Sequence, residues 1–469
     1  ELLWAVDVPD AQALENIATR AQRSLDLQDG PLLRAVLATL ADGSQRLLLV
    51  IHHLVVDGVS WRILFDDLQS AYRQLADGGM LQLPAKTTSA QVWAERLQGY
   101  ARSASLQEEL AYWQTRLEGV DGRLPMDNPQ GGQHNHLALT VRTRLDASLT
   151  RQLLQDAPKA YRTQVNDLLL TALARVMVRW TGTDSALIQL EGHGREALFD
   201  DVDLTRTVGW FTSLYPARLT PSMDLGTSLK QIKEQLRSIP NKGLGFGALA
   251  HLADNPTQAI LSRLPVPQLT FNYLGQFDAS FSEAQGALFV PASEGAGDEL
   301  NAQAPLSNVL ALNGQVFGGE LNLGWTFSRE QFNEATVQAL ADDYARELQG
   351  LIEHCCHGEH GGVTPSDFPL ARLNQQQLDD LPVATAQIAD LYPLSPMQQG
   401  MLFHSVYGDA TGDYINQLRL DVEGLEPQRF RQAWQAAVDA HDILRTRFVW
   451  QGDLPDPVQI VSKQLDLPY

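Results

Sequence analysis

Apolar residues recur along the chain with two periods, and the switches between them outline its elements. Helical spacing, with apolar side chains three and four residues apart, predicts a helix over each of 10–26 (Ala13, Leu14, Ile17, Ala18, Ala21), 60–76 and 164–181, and helices at about 89–118. Another is expected from Ser328 to about 354, with Ser60 and Ser328 as N-caps. The run QRLLLVIHH at 45–53 follows a Gly-Ser turn and reads as a buried strand, and HNHLALTVRTRL at 134–145 alternates like a half-exposed one. SALIQLEGHGRE (185–196) is expected to be a strand running into a glycine loop, with further strands at 209–219, 266–275, 307–314 and 317–327. The break PMDNPQGGQ at 125–133 separates two parts of similar size, each mixing strands and helices, so the class is α/β in two lobes.

From 358 to 388 the chain turns polar and Pro/Gly-punctuated, reading as a linker with a short helical piece at 373–381. Beyond it lie a turn feeding a helix (391–407), a strand (414–422), a helix (427–440) and a strand (443–450). The resulting division is 1–133, 134–357, a linker 358–388, and 389–469 as the incomplete opening of a further unit.

At 469 residues the chain exceeds a single ordinary core, in keeping with that division. Net charge is −21, with 35 basic against 56 acidic residues, the wrong balance for a nucleic-acid partner. No apolar run reaches the roughly 18 residues that cross a bilayer, so no membrane partner is expected. The opening ELLWAVDVPD has neither the basic nor the apolar region of a signal peptide, and it lacks an initiator Met, as expected of a piece of a longer cytoplasmic polypeptide. The two cysteines, Cys355 and Cys356, are adjacent; they offer no disulfide framework, metal pattern or redox motif.

Candidate chemistry begins at IHHLVVDGVSWR (51–62). A strand ending in histidine before an Asp-Gly turn presents an imidazole at a cleft edge, and neutral histidine is the default general base near pH 7. Side chains alternate along a strand, so His52 and His53 take different roles; both could equally be structural. Asp57 reads as an orienting or salt-bridging group. The second candidate is EGHGRE (191–196): Glu191 ends an apolar strand, where a carboxylate has a raised pKa and can act as a base, or is simply solvated in a Gly-rich turn. RTVGWFTSLYP (206–216), IPNKGLGFGAL (239–249) and FNYLGQF (271–277) are unusual without being chemically explicit. GxSxG, HExxH, a P-loop and a strand-to-helix GxGxxG are missing, which leaves cofactor-free histidine/carboxylate acyl or proton transfer.

HHLVVDGVSW, EGHGRE, RTVGWFTSLYP, PNKGLGFGAL and FNYLGQF, in this order, resemble the epimerization domain of non-ribosomal peptide synthetases over roughly 1–365. HHxxxDG alone marks the wider condensation-domain superfamily, related to chloramphenicol acetyltransferase; EGHGRE and FNYLGQ mark epimerization. LYPLSPMQQGMLFH (391–404) and HDILRTRF (441–448) resemble the first two motifs of a following condensation domain. The resemblance implies two acetyltransferase-like lobes forming a V with a central tunnel, the N-terminal lobe being truncated because its Pro-Ile-Gln-type opening is missing. The tail could then occupy the vacant place. It further implies L-to-D inversion of the α-carbon of an aminoacyl or peptidyl thioester by His53 and Glu191. Asp57 would pair with Arg195 at the lobe junction, His52 would give support, and Asn272, Tyr215 and Trp210 would line the site. The substrate would arrive on the phosphopantetheine of an upstream peptidyl carrier domain, with a condensation domain downstream and no cofactor or metal held by this chain. A peptide-bond-forming condensation domain and a non-catalytic carrier-docking module are the alternatives.

Overall fold

The computed structural model describes residues 1–276, 287–358, 360–407 and 414–467 and is α/β, with three separate sheets. In the first lobe β1 (Leu3–Val8) runs parallel to β2 (Leu33–Leu40), which pairs antiparallel with β3 (Gln45–Ile51). The crossover is α1 (Ala11–Arg23), capped by the Asp10 carboxylate; its Leu14 packs with Val8 and Ala38. β1 was not anticipated. Trp4, Val6 and Val8 point inward, but the outward Leu3 and Ala5 are also apolar and erase the alternation. α2 (Gly58–Ala76) follows, capped by Asp57 rather than the expected Ser60. The helices expected at about 89–118 are α3 (Ala90–Tyr100) and α4 (Ala104–Leu117), divided where Ser103 leaves helical geometry and caps the second through the Leu106 N–H.

α4 already belongs to the second lobe. Its Leu106, Trp113 and Leu117 join one core with the residues that follow, so the packing boundary precedes α4 rather than falling at 133. The Pro/Gly/Asn break is a surface loop held on that lobe, where Asn128 donates to the Glu330 carbonyl. The lobe is a six-stranded sheet: β4 (Ala138–Leu145), β5 (Ala186–Gly192), β6 (Ser213–Leu219), β7 (Leu269–Gln276), β8 (Leu310–Phe317) and β9 (Glu320–Ser328), in the order β4-β9-β8-β7-β5-β6. β5, β7 and β8 are parallel, and the other pairings are antiparallel.

Helices cover one sheet face. α5 (Ala147–Arg151) and α6 (Ala157–Tyr161) flank a π turn and lead into α7 (Val165–Thr181). α8 (Leu225–Arg237), α9 (Leu244–His251), α10 (Asn255–Leu261) and the long α11 (Glu334–Cys356) complete the layer. Leu168, Leu173, Leu312, Trp325 and Tyr344 are fully buried between sheet and helices, and the Trp325 indole donates to Thr143. α11 starts after Asn333, not at Ser328, which is buried and donates to the Gly132 carbonyl. The opposite sheet face is mostly polar, with Arg142, Asn313, Gln315, Asn322 and Thr326 exposed or half-exposed beside Leu274 and Phe317.

The segment read as a linker is folded. Val363, Phe368, Leu373 and Leu378, the last on α12 (Gln375–Asp379), share a core with Ile388, Leu391, Val458 and Ile460. Those last four lie on β10 (Ile388–Pro393) and β12 (Val458–Ser462), which pair with β11 (Thr446–Val449) in a sheet of their own, order β10-β12-β11, beside α13 (Pro396–Tyr407) and α14 (Pro427–Ala440). Lys233 on α8, almost fully buried, donates to the Tyr161 carbonyl at 2.9 Å and to Asp367 at 2.7 Å, fixing the segment to the second lobe. The tail therefore does not fill a place beside β1–β3: it completes its own sheet and is tied to the second lobe through Arg162 and the Ile388 and Ala389 carbonyls. Of the strand expected at 414–422, the described residues are exposed and unpaired.

Candidate active site

β3 stops at Ile51, so neither histidine lies in the strand. His52 caps a one-turn 3₁₀ helix (His53–Val55), its Nδ1 accepting the Leu54 N–H at 3.1 Å. That bond holds His52 to its own backbone. His53 is exposed and its ring lies 5.0 Å from the Trp210 ring, tilted by 52°.

Two residues past the turn, Asp57 is saturated. Its Oδ1 accepts from the Ser60 N–H and hydroxyl, both at 2.7 Å; its Oδ2 accepts the Phe211 N–H at 3.1 Å; Arg195 Nη2 donates to both oxygens, at 2.9 and 3.1 Å. Arg195 also donates to the Leu204 and Thr207 carbonyls and lies 4.3 Å above the Phe211 ring. The Ser60 hydroxyl bridges Asp57 to Gly209. The α2 N-terminus of the first lobe is thereby joined to the loop between β5 and β6 of the second. Arg62 adds a bond from α2 to the Leu274 carbonyl on β7 at 3.1 Å. Gly194 lets the loop close this tightly: its φ is +65°, and a Cβ would stand 1.6 Å from the Phe211 carbonyl oxygen.

Glu191, near the end of β5, is the opposite kind of carboxylate. It accepts no hydrogen bond from the described residues, and burial raises its pKa above the ordinary 4.5, with His53 pulling the other way. The two side chains thus sense each other electrostatically, without a direct ion pair.

Register sorts the remaining candidates. Leu190 of β5 lies beside Phe271 of β7, which puts Asn272 next to Glu191 on the open face. On β6, Glu191 faces Leu214 while Tyr215 faces Leu190, so Tyr215 points to the other side of the sheet. Its ring lies where a Cβ on Gly243 would be, and burial pushes its phenol up to about 12. Tyr215 is a packing residue, not a lining one, and Gly243 in the 239–249 stretch is explained by it. Phe277 lies outside the described residues. Sequence reasoning missed Ser60, Arg62 and Phe211 as junction residues; the three-residue spacing of Asp57 and Ser60, that of an N-cap and N3, was the available signal.

The condensation-domain family model matches residues 3–373 and again 388–469. Linear gramicidin synthase subunits C and B of Brevibacillus parabrevis are 48% and 44% identical over 458 and 468 residues, 96% and 98% of this chain but only 6% and 9% of those proteins. The chain thus spans less than a tenth of the length of these curated relatives. Among solved structures, the epimerization domain from the third module of tyrocidine synthetase B is 38% identical with a TM-score of 0.71, covering 76% of this chain and 80% of that one. The X-domain from teicoplanin biosynthesis, 20% identical with a TM-score of 0.55 over 75% of this chain and 78% of its own, shares the fold. Matched by that family model along most of its length, the chain belongs to the condensation-domain family.

Proposed function

We propose that this chain inverts the α-carbon of an aminoacyl or peptidyl thioester in non-ribosomal peptide synthesis, using His53 and Glu191. The substrate arrives on the phosphopantetheine of a peptidyl carrier domain upstream, and residues 389–469 open the condensation domain that takes the product. The observation that carries the reading is Glu191: a desolvated carboxylate, free of hydrogen bonds among the described residues, electrostatically coupled to an exposed histidine. Desolvation makes such a carboxylate a stronger base than a solvated one, the direction that exchange of a carbon-bound proton acidified by a thioester requires. One of the pair accepts the α-proton, the electron pair moves onto the thioester oxygen, and the other returns a proton to carbon from the opposite face. Solvent exchange resets both groups. Peptide-bond formation needs a base but no second carboxylate, and the 38% identity to an epimerization domain also favours inversion.

The test is α-deuterium incorporation from heavy water into aminoacyl and peptidyl carrier substrates, over a panel of residues. Wild type incorporates label; His53→Ala and Glu191→Gln each lose at least about a hundredfold in rate. Full incorporation by both variants, or amide formation between two loaded carriers without incorporation, would overturn the proposal.

A further inference from the structure

The open face of the second-lobe sheet carries a straight row of residues that starts at Glu191. Asn272 lies beside it on β7, Asn272 pairs with Asn313 on β8, Asn313 with Gly324 on β9, and Gly324 with Arg142 on β4. Paired positions share a face, so these five residues cross the sheet side by side. The neighbouring rows are also polar: Gln315 and Asn322 on one side, Thr326 and Thr140 on the other, with the two threonine hydroxyls 2.8 Å apart. Over Asn313, Gly324, Arg142 and the neighbouring rows lies a groove of about 540 Å³, which Leu274 and Phe317 also line; Glu191 and Asn272 continue the row beyond its lining.

Two features separate this face from an ordinary solvated sheet. The carboxamides of Asn272, Asn313 and Gln315 have no hydrogen-bond partner among the described residues, and Arg142 has no ion-pair partner there, whereas its neighbour Arg144 is paired with Glu320. Between Asn313 and Arg142 in the row, Gly324 leaves the floor flat; a Cβ there would meet the Thr140 methyl at 3.2 Å. A carboxamide offers two donors and one acceptor, the complement of a peptide bond, and a guanidinium offers only donors.

We propose that this row is the subsite for the part of a peptidyl substrate that precedes the residue being inverted, with Asn313 and Gln315 bonding its backbone amides and Arg142 its distal carbonyls. Four strand spacings of about 4.8 Å separate Glu191 from Arg142, a span of about 19 Å, which an extended peptide of about six residues fills at roughly 3.3 Å each. The preferred substrate is therefore a peptidyl thioester of about that length, not a single aminoacyl group. This inference rests on the epimerase reading.

The experiment uses the full chain and a triple variant, Asn313→Ala, Gln315→Ala and Arg142→Ala, all at exposed or half-exposed positions. Deuterium exchange is measured on aminoacyl and hexapeptidyl carriers with the same C-terminal residue. The variant is expected to raise KM about tenfold for the hexapeptidyl carrier, with kcat kept and aminoacyl exchange unchanged. Equal losses on both substrates, or none on either, overturn the subsite. If wild type exchanges neither substrate, the epimerase reading fails. The groove is then judged separately by calorimetric titration with a hexapeptidyl pantetheine amide: binding about tenfold weaker in the variant supports it, and unchanged or undetectable wild-type binding refutes it.

Discussion

Replacing Asp57 with alanine tests whether its carboxylate holds the lobes together or takes part in chemistry. The substitution removes the acceptor of the Ser60 N–H and hydroxyl, the Phe211 N–H and Arg195, at a carboxylate 4% exposed facing a guanidinium 7% exposed. Breaking a buried pair from one side costs about 3–5 kcal/mol, and loss of an N-cap about 1 kcal/mol, but the two overlap. Arg195 Nε is already buried without a partner, so the stranded cation has little left to turn to. We expect a loss of about 4 kcal/mol, a large share of the roughly 5–15 kcal/mol of a folded domain. Arg195→Met should cost less, because Asp57 keeps three donors. In the double variant the uncompensated charge is gone, so its cost should fall about 2 kcal/mol below the sum of the singles. Urea unfolding followed by tryptophan fluorescence measures all three, and amide exchange at 58–61 and 209–212 reports whether the junction opens. An Asp57→Ala chain with unchanged midpoint and lost α-proton exchange would make Asp57 a chemical group and refute the reasoning; strict additivity would refute the coupling.

Three further outcomes follow from single sites. Glu191→Gln should stabilise the chain near pH 7 and leave it unchanged near pH 3.5, because burial raises the native carboxyl pKa and so penalises only the ionised form; an equal effect at both pH values in urea melts would contradict this. Gly194→Ala, at φ +65° against the Phe211 carbonyl, should cost more than about 3 kcal/mol or abolish soluble expression, while Gly58→Ala, with open space around it, should be tolerated; thermal melts compare them. Burial lowers the His354 pKa from 6.5, assisted by His360 stacked at 4.2 Å and opposed by Asp224. The native state thus favours the neutral ring, and its contribution is present above the ordinary histidine range and lost as pH falls. Amide protection at the C-terminal end of α11 should drop from about pH 7 to 5, and less so in His360→Gln.

Much of the second lobe was legible because its elements carry one strong period each. α7 spans Val165–Thr181 against an expected 164–181, and β4 falls inside the alternation read at 134–145. Failures came where tertiary context outweighed pattern. β1 is apolar on both sides, and 358–388 looked like a spacer because its eight buried apolar residues are scattered among polar ones with no period. At the site, the motifs fall on the 3₁₀ turn after β3, on the loop between β5 and β6 and on β7, but the face of each side chain depends on register. Tyr215 and Glu191 are near each other across β5 and β6 yet point to opposite sides of the sheet, which no local spacing reveals.

The two carboxylates show how environment rather than residue type divides the labour. Asp57 is held by four donor groups, and those bonds join the two lobes. Glu191 is partly buried with no such donors among the described residues, so its charge is poorly solvated and a proton bound there is favoured by comparison. Removing the Asp57 carboxylate would cost structure; neutralising Glu191 relieves a penalty. The proton exchange we propose therefore falls to Glu191, whose pKa is raised by burial, while Asp57 serves the junction.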